Sequence, residues 1–571
     1  MSVLDLEMVT LKAGPHQARS ADALCVMEAV AWVAGERHSG QPACACPVLS
    51  ALLRTWNDSL PDDDVRTRLL KPLVPLLVHS KATPAVERRR AYLAVDWLAR
   101  AAESAFAGAA TIEGIGHLRA AIELAEVERQ VDLLERLGSS MQSGTAATVT
   151  LQRAFELAEA QGRPAEDRLR IFARLLMFAM RTTGSVATRS SDEEMAERRA
   201  TGRALLAQVD PEGPAAARFL AADAFYPFWS QQGVGDAELE ASMRDAQRAA
   251  TIAQRHDDVD LYSAALDGQI SVFNERSDFP AALAVARKRI ALGRRMTASE
   301  RIDAYSMVVW QAGLVGLLAE AEAASAEGLG QFQPGQEPGW MLGLVAWRLY
   351  TLTVIGRWAD VVALGIRALQ LWEEMGQGSA GFALRGLITA SHVARSRGDA
   401  VGEKLHEAAE AILDQFAASD AAELPGGMRL RHLAVLRLDR DGLERVLGEW
   451  NVKRPSPEGC ERQLNAMSDH GWNVDARVTE AMLAWSLRTG TRLLEVQVRR
   501  AIGLRDGDLE QLETAVQVAD ACGAAALLAR VRYEVALARR DEAGMDSAIR
   551  ALEAMGDRAQ IARYRGRADA A

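Results

Sequence analysis

Ser277-Asp-Phe-Pro-Ala-Ala-Leu-Ala-Val-Ala-Arg-Lys-Arg-Ile-Ala-Leu292 decides the fold, because its layout recurs. Gly356-Arg-Trp-Ala-Asp-Val-Val-Ala-Leu-Gly-Ile-Arg-Ala-Leu-Gln-Leu371 follows 79 residues later, and Gly398-Asp-Ala-Val-Gly-Glu-Lys-Leu-His-Glu-Ala-Ala-Glu-Ala-Ile-Leu413 is a weaker third copy. Each begins with a short polar turn and continues into small residues at helical spacing, where a neighbouring helix can approach closely. The first two copies place an aromatic residue, Phe279 or Trp358, just after the turn. The offset is about two units of the ~34–45 residues that helical-hairpin repeats use. A hairpin of this kind cannot bury its apolar face alone, so stacked neighbours must supply the core. The expectation is an all-α protein built as a helical-hairpin solenoid.

Composition agrees. A chain of 571 residues is too long for one hydrophobic core. Hydrophobic residues make up 49% and charged residues 25%, as in a folded globular protein rather than a disordered one. Aromatics are only 5%, while Ala, Leu, Arg and Glu dominate; these lose little rotamer freedom in a helix. A formal charge of -11 argues against a general nucleic-acid surface, which needs clustered cations. Local basic runs such as Lys288 to Arg295 read as solvated helix faces. No stretch approaches the ~20 apolar residues of a membrane-spanning helix, and Met1 to Met8 lacks the basic start and apolar core of a secretory signal. Five cysteines, an odd number in a long chain, do not form a disulfide framework. A cytoplasmic location is expected.

Three segments follow. Residues 1–110 form a helical module with its own character, 111–423 form the hairpin array, and 424–571 continue it after a loop-rich break. A Ser/Thr-rich joint over 183–196 and loops at Leu424-Pro-Gly-Gly and Val452 to Cys460 interrupt the array. In the module, apolar stripes predict helices from Leu24 to Ala34 and from Pro47 to Trp56. Proline suits a first helical turn at Pro47 and after Thr83, and acidic residues suit the start near Asp62.

The module also carries the one chemically unusual cluster. Cys25, His38, Cys44 and Cys46 are residue types that satisfy tetrahedral zinc. Against that stand the tight Cys-x-Cys spacing and the apolar surroundings of Cys25, which suit a core cysteine. No cofactor other than this structural zinc is implied. A Cys–His nucleophile pair, with Glu28 or Asp96 as an acid–base group, is a further use of these residues. Trp310, Trp340, Trp347, Trp358 and Trp372 concentrate within residues 301–376. Most such rings fill the layer between helix pairs; Trp340, Trp347 and Trp358 are the candidates for anchoring a partner on a concave face.

Leu11-Lys-Ala-Gly, Cys25 to Glu36, Cys44-Ala-Cys-Pro-Val48, Trp56-Asn-Asp58 and Asp96-Trp-Leu98 resemble a small module of uncharacterised actinobacterial and phage proteins. From about residue 112 the degenerate repeats, with an entry at Val127 to Gly138 and a close at Ile549 to Tyr564, resemble the tetratricopeptide-like region of large bacterial signalling regulators. Those are the LuxR-type and ATPase-linked adenylate cyclase proteins. The resemblance implies a sensor scaffold. Their other parts are not seen: there is no Gly-x-x-x-x-Gly-Lys-Ser/Thr phosphate loop and no terminal helix-turn-helix. Gly-x-Ser-x-Gly and His-Glu-x-x-His motifs are likewise missing.

The expected function is therefore a helical-repeat scaffold, more a binding protein than an enzyme. It would bind a protein, a peptide or a small effector in bacterial signalling or regulation. Two alternatives stand beside it: an enzyme or zinc-binding module at the N-terminus regulated by the solenoid, and a structural component of a larger bacterial or phage-derived assembly.

Overall fold

The computed structural model describes all residues except 1–5, 17–22, 61, 182–189, 231–232, 379, 418–427, 449, 451–456 and 569–571. Residues 183–189 of the expected joint at 183–196, and the loops at 424–427 and 452–456, fall outside the described residues. Within them there is no β-strand, only an isolated parallel bridge between Leu11 and Leu24. No described helix is long and apolar enough to cross a membrane. The protein is an all-α array of helical hairpins.

By packing, the chain divides into Met1–Ser140 and Met141–Ala571. The helix Thr111–Leu124 lies along Pro84–Ala107, so the N-terminal module extends to Ser140. The loop-rich stretch near 424 falls inside the second unit.

In the first unit the expected starts appear where the prolines and acids place them. Helices run Val26–Val33, Pro47–Ser59, Asp63–Leu70 and Pro84–Ala107, with Pro47 and Pro84 in the first turn. Asp62 caps its helix by accepting the Val65 N–H, an arrangement worth about 1 kcal/mol. Leu11, Leu24, Met27, Val30, Leu70 and Val74 form the core.

The second unit shows why the repeat is legible. Ser277, Gly356 and Gly398 all adopt left-handed backbone, with φ of 57°, 84° and 78°. In each case the following N–H reaches a carbonyl five residues back: Asp278 to Phe273 at 2.9 Å, Arg357 to Leu352 at 2.9 Å, Asp399 to Ala394 at 2.8 Å. This is the left-handed helix stop that glycine adopts without a Cβ penalty. The next helices are Phe279–Ile290, Trp358–Glu374 and Val401–Ala417. Phe279 and Trp358, each 3% exposed, sink into the layer below.

Hairpins run in succession from Asp236–Arg255 to Val401–Ala417, and again from Ala476–Thr489 to Arg558–Ala568. The second run folds back alongside the first. Ala298–Leu314 meets Arg492–Asp506, Pro338–Val354 meets Ala525–Arg539, and Leu384–Arg397 meets Arg558–Ala568, in the same order along both runs. Two contacts show how close the helices come. A Cβ on Gly386 would lie 2.6 Å from Ala346 Cα, so Pro338–Val354 and Leu384–Arg397 touch backbone to backbone. Between the runs, Ser396 Oγ donates to Asp557 Oδ1 at 2.5 Å, and Arg397 Nη1 donates to the Met555 carbonyl at 2.8 Å.

Candidate functional site

Cys25, His38, Cys44 and Cys46 have separate structural employments. Cys25 is the N-cap of Val26–Val33: its Sγ accepts the Glu28 N–H at 3.4 Å, and Glu28 returns a carboxylate oxygen to the Cys25 N–H at 2.8 Å. This is a capping box with sulfur in the place usually held by a hydroxyl. Burial pushes the Cys25 thiol up to about 11. Cys44 offers its backbone N–H to Glu36 at 2.8 Å, and burial holds its thiol above the usual range. Cys46 is buried at the start of Pro47–Ser59, its N–H donating to Ser80 Oγ at 2.9 Å. His38 Nε2 donates to the His16 carbonyl at 2.6 Å and lies 3.5 Å from Glu28 Oε1. Among the described residues, no three His, Cys, Asp or Glu side chains are grouped to hold a metal ion.

What the structure does assemble there is a buried carboxylate hub. Glu28, 2% exposed, accepts the backbone N–H of His16 at 2.8 Å and meets His16 Nδ1 at 2.9 Å. Burial opposes its ionisation, but the His16 and Cys25 N–H groups and the His16 ring outweigh this and hold it below the usual carboxylate range. The hub ties the segment around residue 16 to the first helix.

The three candidate tryptophans lie in the second unit. Trp347 stacks on Trp310 with centroids 5.4 Å apart, and the Arg385 guanidinium covers it at 3.9 Å. Trp340 lies under Arg181 at 5.9 Å. Both are half-buried. Trp358 is buried, its Nε1 donating to the Thr353 carbonyl at 3.0 Å, and it lines a cavity.

That cavity has a volume of about 570 Å³ and lies among helices of both runs. Val354, Trp358, Ile388, Leu436 and Leu527 supply apolar wall, and Arg462, Glu461, His392 and Gln497 supply polar groups. Among the described residues, the polar groups are incompletely satisfied. Glu461, 3% exposed, accepts the Tyr350 hydroxyl on Oε2 and has no partner on Oε1. Gln497, 3% exposed, donates to Asn465 but leaves Oε1 unpaired. Arg462 donates through Nε to the Glu458 carbonyl at 3.3 Å and has no partner on Nη1. Burial pushes the Glu461 carboxyl well above the carboxylate range. Burial, and then neighbouring Arg385, pushes Arg462 down to about 9, so it keeps its proton at neutral pH.

Sequence reading missed nearly all of this site. Its polar members come from three helices far apart in the chain, with Glu461 and Arg462 adjacent on Pro457–His470, His392 on Leu384–Arg397 and Gln497 on Arg492–Asp506, and each looks like an ordinary position of an amphipathic pattern.

His392 gives the cavity wall a pH signature. Its Nε2 donates to the Leu436 carbonyl at 3.2 Å, while burial, reinforced by Arg395, His406 and Arg462, pushes its pKa down to about 4. Between about pH 6.5 and 4 the unfolded imidazole binds a proton that the folded one does not. Stability should therefore fall as pH drops through that window, by at most about 3 kcal/mol. His392→Gln should flatten this slope in urea denaturation at pH 4.5 and 7. Equal slopes in the two proteins would exclude His392 as the source.

No family model and no curated protein matches the chain. Among solved structures it is similar to a "Circular tandem repeat protein with novel repeat topology and enhanced subunit contact surfaces", at 14% identity over 91% of this chain and 96% of that one, with a TM-score of 0.13.

Proposed function

We propose that the protein is a helical-repeat binding protein whose second unit holds a small effector in the cavity between its two hairpin runs. The single observation that carries this is the cavity. Its volume falls within the ~300–1,000 Å³ range of small-molecule sites, and a mainly apolar wall with a few fixed polar groups is their usual construction. Groups drawn from both runs surround it, so an occupant would tie the fold-back together and stabilise the unit by mass action. This favours a small effector over a protein or peptide as the primary ligand. The N-terminal unit would then be the part recruited or regulated, in keeping with the signalling role that the repeat texture suggests.

The test uses N-phenyl-1-naphthylamine, a neutral probe that fluoresces in apolar sites, titrated into the full chain. Saturable binding of one equivalent is expected, with loss in Thr389→Trp, whose indole fills the cavity. Circular dichroism checks that this variant is folded. Absence of saturable binding to the wild-type chain, or equal binding by a folded Thr389→Trp, would sink the reading.

A further inference from the structure

We propose that the cavity selects ligands bearing an oxyanion, held at Arg462, with an apolar body against Trp358, Ile388 and Leu436. The inference rests on the reading of the cavity as a ligand site and adds the chemical class of the ligand.

Five arginines line the cavity: Arg395, Arg437, Arg462, Arg530 and Arg563. Arg395 is paired with Glu403, Arg437 with Glu410, and Arg530 with Asp557 at 2.6 Å. Asp469, also on the wall, is bound by Arg500 at 2.7 Å and flanked by Arg530 at 3.4 Å. Neither Arg462 nor Arg563 makes an ion pair among the described residues; Arg563 donates to the Gln560 amide oxygen at 2.8 Å.

The nearest acid in sequence does not neutralise Arg462. Glu461 accepts the Tyr350 hydroxyl and makes no ion pair among the described residues, and burial pushes its carboxyl well above the carboxylate range. His392 is neutral and already spends Nε2 on Leu436.

A guanidinium without a counter-ion in a largely apolar enclosure is costly, and the costs of burial are recovered when an anion with matching geometry enters. Carboxylate, phosphate and sulfonate oxygens all meet that need, and a guanidinium presents paired N–H donors to them. A cationic ligand would face Arg462 and Arg563 with no ionised acid free to receive it, since Asp469 and Asp557 are already taken.

A matched pair of probes isolates the charge. 1-Anilinonaphthalene-8-sulfonate is N-phenyl-1-naphthylamine with an added sulfonate. The full chain should bind the sulfonate at least about tenfold more tightly, the size of a charge-assisted hydrogen bond. Arg462→Met should remove that preference by weakening the sulfonate far more than the neutral probe, and Arg462→Lys should keep most of it. Arg462→Met should also fold with an unchanged or raised denaturation midpoint, because it deletes an unpaired charge.

Octanoate, octyl phosphate and octanol as competitors then separate the head groups. Displacement by either anion, with octanol weaker, supports the proposal and tells carboxylate from phosphate. Equal affinity for the two probes, a preference that survives in Arg462→Met, or octanol competing as well as the anions would overturn it. Failure of the neutral probe to bind at all would instead overturn the underlying cavity reading.

Discussion

Arg289→Ala is expected to lower the folding stability of the second unit by about 3–5 kcal/mol, the range for removing one partner of a buried ion network. Arg289 is 0% exposed and leaves its helix to reach Ser263 at 3.1 Å, Asp267 and Asp303 at 2.6 Å, and Glu300 at 3.2 Å. Arg181 meets the same three acids from the other side, with Asp267 at 2.7 Å and Asp303 at 2.6 Å. Two guanidinium groups thus hold three buried carboxyls. Even so, burial and the neighbouring acids push Asp267 up to about 6.

The alanine variant leaves three acids against one cation, which raises Asp267 further and removes one of the cations that hold Glu300 and Asp303 below their usual range. A carboxyl whose folded pKa lies above its unfolded value keeps its contribution at low pH and loses it as pH rises through the folded pKa. The loss caused by Arg289→Ala should therefore be smaller at pH 5 than at pH 8. Urea denaturation of wild type and variant at both values measures this. A loss below about 1 kcal/mol would show that the network is not structural, and an identical loss at both pH values would rule out charge as its cause.

Trp485→Ala should lose about 3–5 kcal/mol, as large-to-small changes of buried aromatics do. Trp485 is 1% exposed on the helix Ala476–Thr489. It meets the ring of Phe279 edge-on at 5.9 Å and 70°, and that of Trp450 at 6.4 Å and 84°. Phe279 is the aromatic residue that follows the first repeat turn, so this contact fastens the start of the repeated pattern to the returning run. Pairing Trp485→Ala with Phe279→Leu should give a non-additive loss, by roughly 0.5–1.5 kcal/mol for the ring pair. Trp485 Nε1 is buried without a partner among the described residues. Trp485→Phe discards that unsatisfied donor along with some volume, and should remain within about 1.5 kcal/mol of wild type. A loss in Trp485→Phe as large as in Trp485→Ala would contradict this account of the site.

Much of the fold was legible because its signals are local. The left-handed stop at Ser277, Gly356 and Gly398 and the prolines at Pro47 and Pro84 depend only on neighbours within about five residues. The Cys25–Glu28 box shows the limit of that locality. Three-residue spacing between a capping side chain and a glutamate is a helix-start signature, yet the same cysteine, read beside His38, Cys44 and Cys46, suggested metal chemistry. The contacts show the cap, with Cys25 Sγ accepting the Glu28 N–H. Trp340, Trp347 and Trp358 were selected by residue type, which carries no information about facing direction; one lines the cavity, and the other two lie against arginines.

Sequence alone determined the all-α class, the hairpin unit and where its turns fall, since helix periodicity and turn chemistry are written into adjacent residues. Tertiary structure alone decided that the second run returns along the first, and hence that a cavity exists. That return depends on contacts such as Phe279 with Trp485, Ser396 with Asp557 and Tyr350 with Glu461, between helices more than 100 residues apart in the chain. No periodicity links such residues. Their pairing follows from shape and charge complementarity that arises only once both surfaces are folded.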